Sequence, residues 1–264
     1  MLNPRSQFHR VLQEALTARG LTLAEICPAD DAIAQRVLCD YGAIQIGSKE
    51  ILPPSICVFT SEEAVANFQK AAGWATAKID DYLIELQPAA MKALLKARAM
   101  ALAEGLNISP RDGTEGTRRT YHDTVRLWNS RFLPALDHWQ ALGRLTPKQT
   151  DRLRSLPVIE QVAEVLELEK DGIFFSKDFS KSVLYSIAAP GTSQHIAMLA
   201  FDANEFFEPR VRQIFADHGW FQTVLSDLPH FTYLGLKEAE LPAHGLKAVD
   251  VQGQRFWIPD VDCP

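Results

Sequence analysis

The sequence predicts an α+β protein: a small antiparallel sheet with flanking helices in residues 81–264, preceded by a mixed α/β region in residues 1–80. Three observations carry this. Apolar stripes at helical spacing recur along the chain behind good capping residues. Short apolar runs separated by turn residues gather after residue 190. Those late runs are also bounded by imidazoles and carboxylates, His195 and Asp202 around one and Asp227 and His230 ahead of another.

Taken in order, residues 6–20 read as an amphipathic helix. Ser6 is the N-cap, Phe8, Val11, Leu12, Ala15 and Leu16 form the stripe, and Gly20 is the stop. A second helix is expected over 31–41. The runs 43–46 and 51–59 read as β, with Pro53 and Pro54 confining the second to an edge or a bend. Ser61-Glu62-Glu63 opens a helix that ends near Gly73. Residues 82–87 read as a strand, and Pro88 suits the first turn of an Ala-rich helix closed by Gly105.

Asn107-Ile108-Ser109 reads as a short strand, and Arg118 to Tyr121 opens a helix towards Trp139. Thr146-Pro147 and Ser155 to Pro157 mark two further helix starts, the second helix running through Lys170. Residues 183–188, the apolar run 196–201, 220–224 and 230–234 read as strands, and 208–218 as a helix. The tail 246–258 alternates around Gly253 as a closing hairpin.

At 264 residues, with 47% hydrophobic and 23% charged residues, the composition is that of a globular protein with a sizeable core. A net charge of -6 offers no footprint for a nucleic-acid backbone. No apolar stretch approaches the ~18 residues of a membrane span. The first twenty residues carry Arg5, Arg10, Glu14 and Arg19, so no secretory apolar core is expected there. Cys27, Cys39, Cys57 and Cys263 form no CxxC pair and read as small hydrophobic residues, with room for one disulfide.

The chemistry lies in the late runs. Two neutral imidazoles and one carboxylate make a three-ligand zinc site that leaves a fourth position for water, and the remaining carboxylate is then free to move protons. His195 and Asp202 are seven apart, which on one unbroken strand would point them to opposite faces. His195 is therefore expected in a turn ahead of the strand, or a bulge must re-aim one of the two. On the run from His230, Thr232 shares the histidine's face, and Phe231 and Tyr233 share the other. His9, His122, His138, His218 and His244 read as ordinary polar residues.

The pattern Ser193-x-His195-x-x-x-x-Ala200-x-Asp202, followed by Asp227-x-x-His230-Phe231, resembles the zinc D-alanyl-D-alanine carboxypeptidase and dipeptidase family. That family shares its core fold with the Hedgehog signalling domain, and its motif is SxHxxGxAxD followed by ExxH. The resemblance covers residues 82–235 and implies His195, Asp202 and His230 as zinc ligands, with Asp227 as the catalytic acid/base. Met198 stands at the motif glycine. Asp stands for Glu, as in cell-wall endopeptidases of the family that read DxPHF, matched here by Asp227, Pro229, His230 and Phe231.

Arg119-Thr120-Tyr121 is the best match to the family's Gly-Tyr-Arg-Ser-Tyr. It implies Arg119, with Arg118 as its neighbouring alternative, facing the zinc and the substrate. Ser193 is implied in substrate binding. The implied substrate is a peptidoglycan stem peptide and the implied reaction removal of a terminal D-alanine, with cleavage inside the stem also open. Such a substrate implies a periplasmic or extracytoplasmic location. A non-catalytic module that keeps the metal and binds a peptide or partner is the second class of function. Since residues 1–80 hold no expected ligand, a chain starting near Ile79 is expected to keep its zinc.

Overall fold

The structure is a computed structural model that describes residues 6–261. It is mixed α/β, with small antiparallel sheets. Contacts group the described residues up to Val58, Ala66–Arg119, and those from Gln194 onward into one compact unit; Phe59–Val65 and Thr120–Ser193 form the other.

In the first unit, α1 (Gln7–Ala18) is capped by Ser6, whose hydroxyl accepts from His9 N, and it buries Phe8, Leu12 and Leu16. The short α2 (Leu23–Ile26) carries a Thr22/Glu25 capping box. Asp31 caps α3 (Ala32–Tyr41) through two backbone amides. Where a strand was expected at 43–46, a buried 3-10 turn, Gly42–Ile46, continues from α3. An apolar run this short fits a buried helical turn as well as a strand. Nor does the expected strand at 51–59 form; Pro53 and Pro54 cannot donate to a ladder, and Cys57 N instead bonds to Ile26 O at 2.7 Å. Cys27 and Cys57 are buried free thiols, and Cys263 lies outside the described residues.

Helix α4 (Glu62–Ala72) precedes a hairpin of β1 (Ala75–Ile79) and β2 (Tyr82–Leu86). The boundary read at residue 80 falls in its turn, where Asp80 adopts φ 53°. The β1 strand went unread because only Ile79 in it is strongly apolar. Pro88 starts α5 (Pro88–Ala103) as expected. Asn107-Ile108-Ser109 is no strand but part of a loop whose one ladder contact is the bridge Pro110↔Ala203.

The sheet that matters for the site has the order β3–β5–β4, with β3 (Ala200–Asp202), β4 (Trp220–Phe221) and β5 (His230–Tyr233) all antiparallel. Register pairs Asp202 with His230, Phe201 with Phe231 and Ala200 with Thr232. The period of two then puts Asp202, His230 and Thr232 on one face, beside Ala200 and Phe221, and an aromatic cluster on the other. Phe201, Trp220, Phe231 and Tyr233 lie on the aromatic face. Phe215 of α9 (Pro209–Asp217) stacks on Phe231 at 4.3 Å between centroids, and Trp220 meets Tyr233 at 5.2 Å. Burying each such ring contributes roughly 1.5–3 kcal/mol, which anchors β5 and so the residues on its other face. The chain closes with the β6 (Leu246–Val251) and β7 (Gln254–Pro259) hairpin.

The second unit holds α6 (Tyr121–Ala141), α7 (Pro147–Ser155) and α8 (Val158–Lys170). Capping boxes at Thr120/Asp123 and Thr146/Gln149 start α6 and α7. Ser155 does not cap α8: it ends α7, and Pro157 takes the cap position. Trp128, Phe132 and Phe175 stack as the unit's core. The expected strand at 183–188 is a 3-10 turn, Val183–Tyr185, whose first amide bonds to the Glu169 carboxylate at 2.6 Å. No helix among the described residues is long and apolar enough to cross a membrane.

Candidate metal centre

A 3-10 turn, Gln194–Ala197, delivers His195, and β3 begins three residues after that turn ends. The turn resolves the parity problem of a seven-residue spacing. His195 leaves the chain before the strand begins, Asp202 ends β3, and His230 opens β5 directly across from it. The ligand atoms of His195, Asp202 and His230 all lie within 4.8 Å of one another. His195 Nε2 is 3.2 Å from Asp202 Oδ2, and His230 Nδ1 is 3.0 Å from Asp202 Oδ1. The two rings stand at 78° with centroids 4.9 Å apart. All three side chains are buried.

The turn is held from outside. Carbonyls of four consecutive residues accept bonds from distant parts of the chain. Arg119 N reaches His195 O at 3.3 Å, and Gln69 Nε2 reaches Ile196 O at 3.0 Å. Gln87 binds Ala197 O through its side chain at 2.8 Å and Met198 O through its backbone N–H at 2.9 Å. Met198, standing at the motif glycine, adopts φ 55° and is fully buried. The chain therefore needs at this point the left-handed backbone that glycine adopts most easily. Asp202 is fixed in turn by Arg111 N bonding to its carbonyl at 2.8 Å.

Of the two arginines, Arg119 belongs to the site: its Nη2 is 3.4 Å from Asp202 Oδ2, while its Nε donates to Glu115 O. Arg118 turns away to Gln69 Oε1, the Glu85 carboxylate at 2.8 Å and the face of Trp74. Asp227 is half-buried on the turn before β5, where His230 N bonds to its backbone carbonyl at 3.2 Å. Ser193 is buried immediately ahead of Gln194.

The electrostatics separate the two carboxylates. Burial opposes ionisation of Asp202, but the charge and hydrogen bonds of His195 and of His230 outweigh it and hold the carboxyl well below the usual range. Burial lifts Asp227 above that range, with the charge of His230 opposing and that of Asp202 assisting. Burial also pushes the His195 imidazole down to about 4, helped by the nearby Arg119 charge, so the ring is neutral around pH 7. A neutral imidazole is the form that ligates metal.

The donor set could hold a metal ion. His230 Nε2 lies 2.8 Å from Gln194 Oε1, an acceptor, and its Nδ1 faces Asp202 Oδ1, also an acceptor. A neutral ring has one N–H and cannot donate to both. The contact would close with a second proton, or with a cation that His230, Asp202 and His195 would hold together. Two imidazoles and a carboxylate are a common ligand set for zinc sites that keep an open position.

Residues that sequence reasoning missed are those that hold the ligands: Gln69, Gln87, Gln194, and Tyr41, whose carbonyl accepts from Gln194 Nε2 at 3.1 Å. Tyr41 and Gln69 lie before residue 80, so the first third contributes to the site and the expectation that it is dispensable for zinc is revised. Only Gln194, adjacent to His195, carried any signal in the sequence. No family model, curated protein or solved structure matches the chain.

Proposed function

We propose that the protein is a zinc-dependent peptidase acting on peptidoglycan stem peptides, with D-alanyl-D-alanine carboxypeptidase activity as its main reaction and a Hedgehog-like peptidase fold around the site. The observation that carries this reading is the convergence of His195, Asp202 and His230 from a turn and two strands, with the motif's spacing and with their ligand atoms within 4.8 Å. Zinc, when bound, supplies Lewis acidity to a water and to the scissile carbonyl.

The chain's own residues do the rest. Asp227 takes a proton from the attacking water and returns it to the leaving amine. Its raised pKa makes it a stronger base than a surface aspartate. Arg119 pairs with the substrate's terminal carboxylate or with the developing oxyanion. Ser193 is assigned to substrate binding by the motif alone.

The test is release of D-alanine from a muramyl pentapeptide by zinc-loaded protein, with internal stem cleavage followed by mass. One observation favours a second reading, a metal-holding module that binds a peptide or partner without cleaving it: each of the three donors is at most 4% exposed. Full zinc loading without cleavage of any stem peptide would select that second reading.

A further inference from the structure

We infer that Gln194 is a positioning residue that fixes which nitrogen of His230 faces the metal centre. The inference rests on the zinc-site reading above. Gln194 is 4% exposed, and every polar atom of its amide is used. Its Nε2 donates to Tyr41 O, so Oε1 is the end turned to the site. There Oε1 accepts from Thr232 Oγ1 at 2.5 Å and meets His230 Nε2 at 2.8 Å.

The direction of this network follows from proton counting. Thr232 spends its one hydroxyl proton on Gln194, so Thr223 Oγ1, 2.7 Å away, donates to Thr232. Both acceptor positions of Gln194 Oε1 are then filled by donors, one of them the N–H on His230 Nε2. The lone pair of the neutral ring is left on Nδ1, aimed at Asp202 Oδ1. His195 approaches the same carboxylate through Nε2, so the two histidines present opposite ring nitrogens.

An amide suits this task better than a carboxylate. A glutamate at 194 could not donate to Tyr41 O, and it would add a negative charge beside Asp202. Hydrogen-bond partners behind metal-bound histidines set ring orientation, and losing one costs about 10–100-fold in metal affinity.

The test uses the full chain, labelled with ¹⁵N on histidine and measured near pH 8, above the ordinary imidazole range of ~6.5. Long-range ¹H–¹⁵N spectra of zinc-loaded protein should show His230 with its proton on Nε2; without metal the Asp202 carboxylate competes for that proton at Nδ1. After zinc titration, Nδ1 should carry the metal-induced shift. Gln194→Leu should lose the tautomer preference and bind zinc about 10–100-fold more weakly, while Gln194→Glu should keep the proton on Nε2. A proton on Nδ1 in zinc-loaded wild type overturns the inference. So does a folded Gln194→Leu variant with unchanged tautomer and zinc affinity. A wild-type chain that binds no zinc but holds another divalent cation with the His230 proton on Nε2 supports the role of Gln194 and overturns the zinc reading alone.

Discussion

The β6–β7 hairpin and the segment from Gln194 to Asp202 solve the same problem, satisfying buried backbone, in opposite ways. The hairpin closes mainly on itself, with Trp257 N bonding outward to Gln222 O at 2.8 Å. Six residue pairs match in register across a two-residue turn, Gln252 and Gly253, both at positive φ. The site segment closes on others: Gln87 reaches Ala197 O across 110 residues, and Gln69 reaches Ile196 O across 127. A largely self-closing element fails chiefly when its own residues change. An element held from outside can be disabled by changes far from any ligand.

The sharpest contrast comes from the ligands. The purified protein should hold about one zinc per chain, and His195→Ala, Asp202→Ala or His230→Ala should each abolish it, read by metal analysis. Full occupancy in the triple variant would remove the site from the comparison altogether.

Truncation comes next. A chain starting at Ile79 lacks Tyr41 and Gln69 and is expected to lose zinc even if it folds. Retention of stoichiometric zinc by that chain would show that the segment does not need its outside support.

Asp227 separates chemistry from architecture. Asp227→Asn should lower turnover ~10²-fold or more with zinc retained. It should also change stability with a definite sign. Burial raises the folded-state pKa of Asp227, so the contribution of this carboxyl is full below the ordinary aspartate range and is lost as pH rises through the folded value. The Asn variant has no such loss, and its thermal midpoint should gain on wild type across that window. A gap that closes with rising pH would reverse the assignment.

The smallest effects test the scaffold directly. Gln87→Leu removes two donors and leaves Leu52 O and Ala197 O without them, at roughly 1–3 kcal/mol for each buried group. Denaturant unfolding should report that loss together with weaker zinc binding. Gly253→Ala, at φ 76° in open space, should cost about 1–2 kcal/mol and leave zinc affinity unchanged. If both variants affect zinc alike, the two regions are not energetically distinct.

The same contrast explains what the sequence made legible. Ser6 and Thr146 mark helix starts because a cap and its partner sit within one turn of each other, and Pro88 does so because its fixed φ suits a first turn. Of the two arrangements expected for His195, a preceding turn or a bulge, the turn is the one observed, and the grouping of His195, Asp202 and His230 was legible as a pattern. The supporting glutamines were not, since a partner more than a hundred residues away leaves no local trace. Residues 43–46 and 183–188 misled for a related reason. Short apolar runs say that a segment is buried, and tertiary contacts decide whether it coils or extends.

Met198 sets backbone strain against packing at the centre. Its left-handed backbone costs ~1–2 kcal/mol that a glycine would avoid, yet its side chain is fully buried, and deleting such a side chain costs ~2–5 kcal/mol. A single step to glycine therefore runs uphill, and a β-branched residue fits the left-handed backbone worse still. The position therefore resists exchange in both directions: glycine would relax the backbone but leave a cavity that neighbouring side chains would first have to fill.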